Sequence, residues 1–262
     1  MGAVEPAPDG SDVVLIRANN PGPMTLSGTN TYVVGREPAW VIDPGPDDAD
    51  HVEAVRAEGN ARGGVGGVLL THSHADHSAG VERLAAPLVW GAVSSIDETS
   101  WQPDPGTRPA NDAPPDFEVI PTPGHAADHA AFAWQDVCFC GDLILGEGST
   151  IVPPSAFGGS LGDYLLSLER LREVEASLFA PGHGPWITDP HAKIDEYLTH
   201  RAERERKLVA ALDAGERSRD LLLADAWEDV PAGLRRAAAM AMQAHLEKLE
   251  AEQRINLAEL TE

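Results

Sequence analysis

Short apolar runs separated by polar, Gly- and Pro-bearing turns occupy the first three-quarters of the chain, and longer segments with helical spacing follow. Residues 13–16, 31–35 and 39–43 read as short strands, the last ending abruptly at Pro44-Gly45-Pro46. Asp47 to Glu58 predicts a helix stopped by Gly59, and a Gly-rich link (Gly63, Gly64, Gly66, Gly67) leads into the apolar strand Val68-Leu69-Leu70-Thr71. A helix is expected over His77 to Leu84. Five prolines within 101–116 predict a loop or extended flap, and strand-like runs return at 117–120 and 130–140. Leu161, Leu165, Leu168 and Leu171 recur at helical spacing after Ser160, with Asp163 in the first turn. Phe179-Ala180-Pro181 closes another strand. Such alternation of strand, polar loop and helix predicts an α/β layered architecture.

From Asp189 onward helices are expected at 190–214, about 218–227 and 231–252. The chain therefore divides into residues 1–200, a layered domain, and 201–262, a small helical one, with the first tail helix straddling the boundary.

Composition narrows the function classes. Hydrophobic content of 42% in 262 residues is enough for a large core. No apolar run approaches the roughly 18 to 20 residues that span a bilayer, and the amino terminus shows no signal peptide. Cys138 and Cys140 lie two apart on one face of a strand, where a disulfide is not expected. A cytoplasmic protein with no membrane partner is the expectation. Net charge is −23, and it is uneven: residues 200–262 carry 10 basic and 13 acidic residues, leaving 9 basic and 29 acidic elsewhere. That balance disfavours broad nucleic-acid binding, which needs Lys and Arg against phosphates. Specific DNA binding is not expected of the tail, whose helices suit packing or a homodimer contact better.

The chemistry concentrates in Thr71-His72-Ser73-His74-Ala75-Asp76-His77, directly after an apolar strand. Imidazole nitrogen and carboxylate oxygen are ligands that zinc accepts. His72 and His74 can point the same way, while Asp76 and His77 can serve a neighbouring ion. Four clustered ligands exceed what one catalytic ion needs with a position left open, so two metals are the economical reading. His125 in Pro123-Gly124-His125, Asp142 in Gly141-Asp142 and His183 in Gly182-His183-Gly184 each follow a further apolar segment.

This set resembles the metallo-β-lactamase superfamily, whose signature is an HxHxDH loop followed by separate His, Asp and His ligands. The resemblance covers most of residues 13–190. It implies an αββα four-layer sandwich with the site along one edge. It further implies that His72, His74 and His125 hold one metal, that Asp76, His77 and His183 hold the other, and that Asp142 bridges them. Asn20-Pro21-Gly22-Pro23, Gly28-Thr29-Asn30-Thr31-Tyr32 and the stretch Gly141 to Gly148 are similar to the β-lactamase-like protein 2 branch, as is the helical tail, which there forms a winged-helix-like domain. Some members of that branch cut single-stranded RNA. Asp142 stands where antibiotic-destroying members often carry Cys, so β-lactam cleavage is not expected.

Two zinc ions, with manganese or iron as alternatives, can yield hydroxide from water at neutral pH and polarise the oxygen under attack. Asp76 and Asp142 are the candidate catalytic carboxylates that orient that hydroxide, and Asp43 can fix an imidazole tautomer. His129 is a candidate for positioning or for protonating the leaving group. Thr29, Asn30 and Tyr164 could line the substrate cleft, or else serve a turn and a helix face. The expected reaction is hydrolysis of an ester-type bond, either an RNA phosphodiester or, as in glyoxalase II-like enzymes, a thioester or ester. A diiron redox protein is disfavoured, because such relatives tend to carry a carboxylate where His74 stands and use a flavin partner domain.

Overall fold

The computed structural model describes residues 4–91, 107–109 and 116–261. Two sheets face each other. The larger runs in chain order through β1 (Val4–Pro6), β2 (Val13–Arg17), β3 (Asn30–Val34), β4 (Ala39–Ile42), β5 (Val65–Leu70), β6 (Val89–Gly91) and β7 (Thr107–Pro109). Its first four strands pair antiparallel and the rest parallel. The smaller has the order β11 (Leu178–Pro181), β10 (Val137–Gly141), β9 (Ala130–Trp134), β8 (Glu118–Pro121), with β10 and β11 parallel.

Period-two alternation sorts the side chains into layers. Val13, Leu15, Tyr32, Val34, Ile42 and Leu69 point inward and meet Phe132, Val137, Phe139 and Leu178 of the second sheet. Their neighbours Val14, Ile16, Val33, Val41 and Val68 point outward. These are covered by Val52 and Val55 of α1 (Ala49–Ala61) and Leu84 of α3 (Gly80–Leu84). The outer face of the second sheet buries Cys138 and Cys140 under α4 (Leu161–Arg172) and the first half of α5 (Pro190–Asp213), through Leu168, Ile194 and Tyr197. The order of layers is helix, sheet, sheet, helix, as expected. Each large apolar side chain so buried contributes about 1.5–3 kcal/mol.

Several local expectations need correction. Gly59 does not stop α1, which runs on to Ala61. A Cβ at Gly59 would stand 2.4 Å from Val65 Cγ2, so this glycine admits the next strand, and the chain leaves the helix at Gly63 and Gly64, both with positive φ. The strand expected from Val68 starts at Val65. The helix expected over His77–Leu84 is two short ones, α2 (Ala75–Ser78) and α3, joined at Ala79. The run 130–140 is a hairpin, turning at Gln135 with φ 51°. Most of the Pro-rich 101–116 stretch lies outside the described residues.

The tail comprises the second half of α5, α6 (Arg219–Ala226) and α7 (Arg235–Ala251), closed over Leu208, Leu212, Leu222, Trp227, Met242, Leu246 and Leu249. Among the described residues its extended pairing is a single bridge between Ser218 and Thr261, so the hairpin of a winged helix is not among its described elements. Because α5 belongs to both cores, the boundary at residue 200 falls inside a continuous helix.

Candidate metal centre

Parallel strands deliver their carboxyl ends to one sheet edge, and loops leaving that edge converge. Asp43 follows β4, Thr71 to His77 follow β5, Asp142 follows β10 and His183 follows β11. His125 arrives on the β8–β9 connection. The two sheets are tied at this edge by Asn30, whose N–H donates to the Gly182 carbonyl (2.8 Å) and whose Nδ2 donates to the carbonyls of Pro181 and Gly184 (both 2.9 Å). Asn30 is thus buried and ties the two sheets together.

Three overlapping donor groups result: His72, His74 and His125; His72, His77 and Asp142; Asp76, His77 and His183. Within each, one donor atom per residue lies within 4.8 Å of the others. His74 Nδ1 stands 2.9 Å from His72 Nε2 and 3.2 Å from His125 Nε2. His183 Nε2 lies 3.2 Å from Asp76 Oδ2 and 3.4 Å from Asp142 Oδ2. His77 Nε2 lies 3.5 Å from both Asp76 Oδ2 and Asp142 Oδ1. All seven residues singled out from the sequence meet here.

In four of the five rings the far nitrogen is already occupied, which turns the other one toward the cluster. Thr71 Oγ1 donates to Asp43 Oδ2 (2.7 Å) and so accepts from His72 Nδ1 (3.0 Å). His77 Nδ1 donates to Asp43 Oδ2 (2.8 Å), His125 Nδ1 to the Ile151 carbonyl (2.8 Å) and His183 Nδ1 to the Gly28 carbonyl (3.3 Å). Such outer partners set the tautomer and raise ligand basicity. Asp43 also accepts the Thr71 N–H at 2.8 Å and is itself held with φ 49°, so one carboxylate aligns the whole β5 loop.

A cation fits this donor set. Four tetrahedral ligands at about 2.0–2.1 Å from zinc stand about 3.4 Å apart, close to the separations seen. Two buried atoms in the middle, His77 Nε2 and Asp142 Oδ1, have no hydrogen-bond partner. Leaving a buried carboxylate oxygen without a hydrogen bond is costly, and a divalent ion held by these residues would remove that cost. Backbone space is reserved as well. A Cβ on Gly182 would stand 2.3 Å from Asp142 Oδ1 and 2.6 Å from His77 Cε1. Gly141, with φ +48°, turns the chain so that Asp142 enters where a side chain would strike His129 and Thr71.

Electrostatics divides the centre. Burial, reinforced by His77, drives His72 well below the usual imidazole value. Burial takes His125 down to about 4 despite Asp142. Burial opposes charge on His77 and His183 too, but it is outweighed by Asp142 together with Asp43 at His77, which is held well up, and by Asp142 together with Asp76 at His183, which lies at about 9. Asp142 resists burial through His77 and His183 and lies well below the carboxylate range, and His183 likewise lowers Asp76.

The remaining candidates take quieter places. His129 Nε2 accepts the Asp142 N–H at 3.2 Å, its Nδ1 bonds Thr122 Oγ1 at 2.8 Å, and burial depresses it to about 3. Both ring nitrogens of His129 are thus engaged, and through the Asp142 N–H the ring positions Asp142. Tyr164 is fully buried with its hydroxyl on the Leu143 carbonyl (2.8 Å) and packs α4 against the second sheet. Thr29 is buried too, with Oγ1 donating to Asp76 Oδ2 (3.3 Å) and accepting from Asn20 Nδ2 (2.9 Å). Thr71 and Asn20 shape the centre without chemistry that marks them in the sequence; their only signal is adjacency to the HxHxDH and Gly-Thr-Asn stretches.

The profile of the metallo-beta-lactamase superfamily matches residues 24–116 and 110–183. A beta-lactamase-like protein 2 homolog from Caenorhabditis elegans is 32% identical across 94% of this chain and 87% of its own length. An atrochrysone carboxyl ACP thioesterase from Aspergillus chevalieri is 37% identical over 76% of this chain, which spans 65% of that enzyme. A metallo-beta-lactamase family protein from Thermus thermophilus superposes with a TM-score of 0.72 at 24% identity, covering 94% of this chain and 95% of the other. With the sandwich, the donor cluster and the sequence match in agreement, this chain belongs to the metallo-β-lactamase superfamily and is a metal-dependent hydrolase.

Proposed function

We propose that the protein is a dinuclear zinc hydrolase acting on a thioester or ester. The observation that carries the dinuclear reading is the paired orphan atoms, His77 Nε2 and Asp142 Oδ1, set between two donor triads. His72, His74 and His125 would hold one ion, Asp76, His77 and His183 the other, and Asp142 both. When bound, such a pair supplies hydroxide from water at neutral pH and polarises the oxygen under attack.

This chain's own residues do the rest. Asp142, positioned by its backbone bond to His129, keeps its oxygens between His77 and His183. Asp76 is the more exposed carboxylate, its side chain 29% accessible against 10% for Asp142, and it suits the task of accepting the proton of the attacking water. Thr29 holds the Asp76 oxygen that faces His183. His129 stays neutral, so leaving-group protonation falls to solvent or to Asp76 after it has taken up a proton.

The choice of acyl substrate rests on charge and kinship. A sandwich with 29 acidic and 9 basic residues repels a polyanion at long range, and a thioesterase is among the similar enzymes. A second reading, single-stranded RNA cleavage, follows from the resemblance to the β-lactamase-like protein 2 branch, whose homolog matches nearly the whole chain. Zinc-loaded protein assayed against acyl-carrier and acyl-glutathione thioesters, simple esters and labelled single-stranded RNA separates the two. The expected result is thioester turnover that disappears in Asp76→Ala. RNA cleavage lost in the same variant, without thioester turnover, would replace the first reading with the second.

A further inference from the structure

We propose that Arg201, on the tail helix α5, is a positioning residue for the first metal: it clamps the segment whose carbonyl orients His125. The inference rests on His125 being a ligand, as proposed above. Residues 149–154 contain no helix or strand, so no ladder of their own fixes their path. Their anchors come from outside. Arg201 Nη2 donates to the Thr150 carbonyl at 2.5 Å and to Ser149 Oγ at 3.3 Å. The next carbonyl along, that of Ile151, accepts the His125 Nδ1 proton at 2.8 Å, with Thr150 Oγ1 3.3 Å from the same nitrogen. The carbonyl held by the guanidinium is thus one residue from the carbonyl that sets the ring's tautomer and leaves Nε2 for the cation.

Further residues of α5 and α7 anchor the flanks of this segment. Tyr197, one helical turn before Arg201 on the same face of α5, accepts the Leu145 N–H through its hydroxyl at 2.9 Å. Glu247 of α7 accepts the Ser155 N–H at 2.8 Å. Arg201 itself is buried, its guanidinium 5.3 Å from the Tyr164 ring centroid, and its Nε has no hydrogen-bond partner. Packing alone does not call for that arrangement, since a buried cation is costly to desolvate and Met or Leu would cover Tyr164 without the cost. What Arg201 adds is donors aimed at Thr150 and Ser149. The tail is therefore part of the metal centre's frame rather than an appendage.

The test is zinc binding by the full-length chain, measured by chelator competition for wild type, R201M, R201K and R204M. Arg204 is the control: it lies three residues on and bonds Asp229 and the Ala226 carbonyl within the tail. R201M is expected to weaken one of two zinc equivalents by about 10- to 100-fold, the range for lost outer partners, leaving the other close to wild type. R201K should recover much of the loss. R204M should lower the thermal midpoint with zinc affinity unchanged. Nitrogen-15 spectra should show the His125 Nδ1–H signal shifted or broadened in R201M and intact in R204M. Should R201M fail to fold, R201Q takes its place, with the same one-site weakening expected and unchanged affinity counting against the inference. Two tight zinc equivalents in R201M, or equal losses in R204M, would overturn it while leaving the metal centre standing. A wild type that binds no zinc would overturn both, and is told apart by that fact.

Discussion

The two donor triads sit side by side yet are prepared for a cation in opposite ways. His72, His74 and His125 form an all-imidazole group in which burial keeps His72 and His125 neutral, the latter with a value near 4. Asp76, His77 and His183 form a mixed group in which Asp142 and Asp76 hold protons on the rings, taking His183 to about 9. At neutral pH His72 and His125 present bare lone pairs, whereas the second triad is an internal ion-pair cluster in which protons stand where a metal would sit. On the dinuclear reading, the same fold edge offers one site ready for an ion and one that must exchange protons for it. The teaching is general: carboxylates that strengthen a site for a divalent ion also raise the competition from protons.

The largest expected effect is on turnover. Asp142→Ala removes the group shared by both halves and should reduce kcat by at least about 100-fold, in line with the loss of a single transition-state stabiliser, with the circular dichroism spectrum preserved. Elemental analysis of that variant should show a larger loss of metal from the mixed triad than from the imidazole triad, and equal retention would erase the distinction between them.

Metal removal comes next. A ligand at 100 times its Kd stabilises by about 2.7 kcal/mol, and about 1 kcal/mol moves the midpoint of a chain this size by roughly 2–4 °C. Chelation should therefore lower the melting midpoint by about 5–10 °C, as read by scanning calorimetry. An unchanged midpoint would mean that the donors close on themselves without an ion.

Third is pH. With His183 raised to about 9 from an ordinary 6.5, the metal-free protein gains stability from the protonated ring that is complete below 6.5 and lost as pH rises through 9. Denaturant titration of chelated protein should show stability falling across that window. Affinity for the second metal should rise over the same window by about tenfold per pH unit for one displaced proton. Affinity for the first gains no such dependence from His125, which titrates near 4, or from His72, which burial holds low. Parallel slopes for both metals would break the comparison.

The smallest effects belong to the supports. Asp43→Asn weakens the partner of His77 and should loosen the second metal by about 10- to 100-fold, while Thr29→Val, which frees one Asp76 oxygen, should cost only about 0.5–1.5 kcal/mol in binding or turnover.

Much of this was legible in the sequence because the ligands are chemically conspicuous and each stands where an apolar run ends. The strand ends at Gly141 and Pro181 follow from apolar runs broken by Gly or Pro, that at Leu70 from an apolar run giving way to Thr71-His72, and parallel pairing brings them to one edge. Residues that act through a neighbour were harder to see. Thr71 looks like any strand-end threonine, and Arg201 like one more charge on a helix; only the three-dimensional path of residues 149–151 connects the latter to His125. Gly59 was misread for a related reason. A glycine near a helix end suggests a stop, but here the missing side chain makes room for Val65 and the stop lies at Gly63 and Gly64. His129 and Tyr164, reactive by type, are silenced by burial and by hydrogen bonds that no local pattern announces.

The most direct measurement is elemental analysis of purified, dialysed protein before and after titration with zinc, run beside His183→Ala and His125→Ala. Two equivalents in the wild type, and one tight equivalent in each variant, is the predicted result. Full occupancy in both variants, or a wild type that retains no zinc, manganese or iron, would contradict the account of two triads meeting around a cation pair.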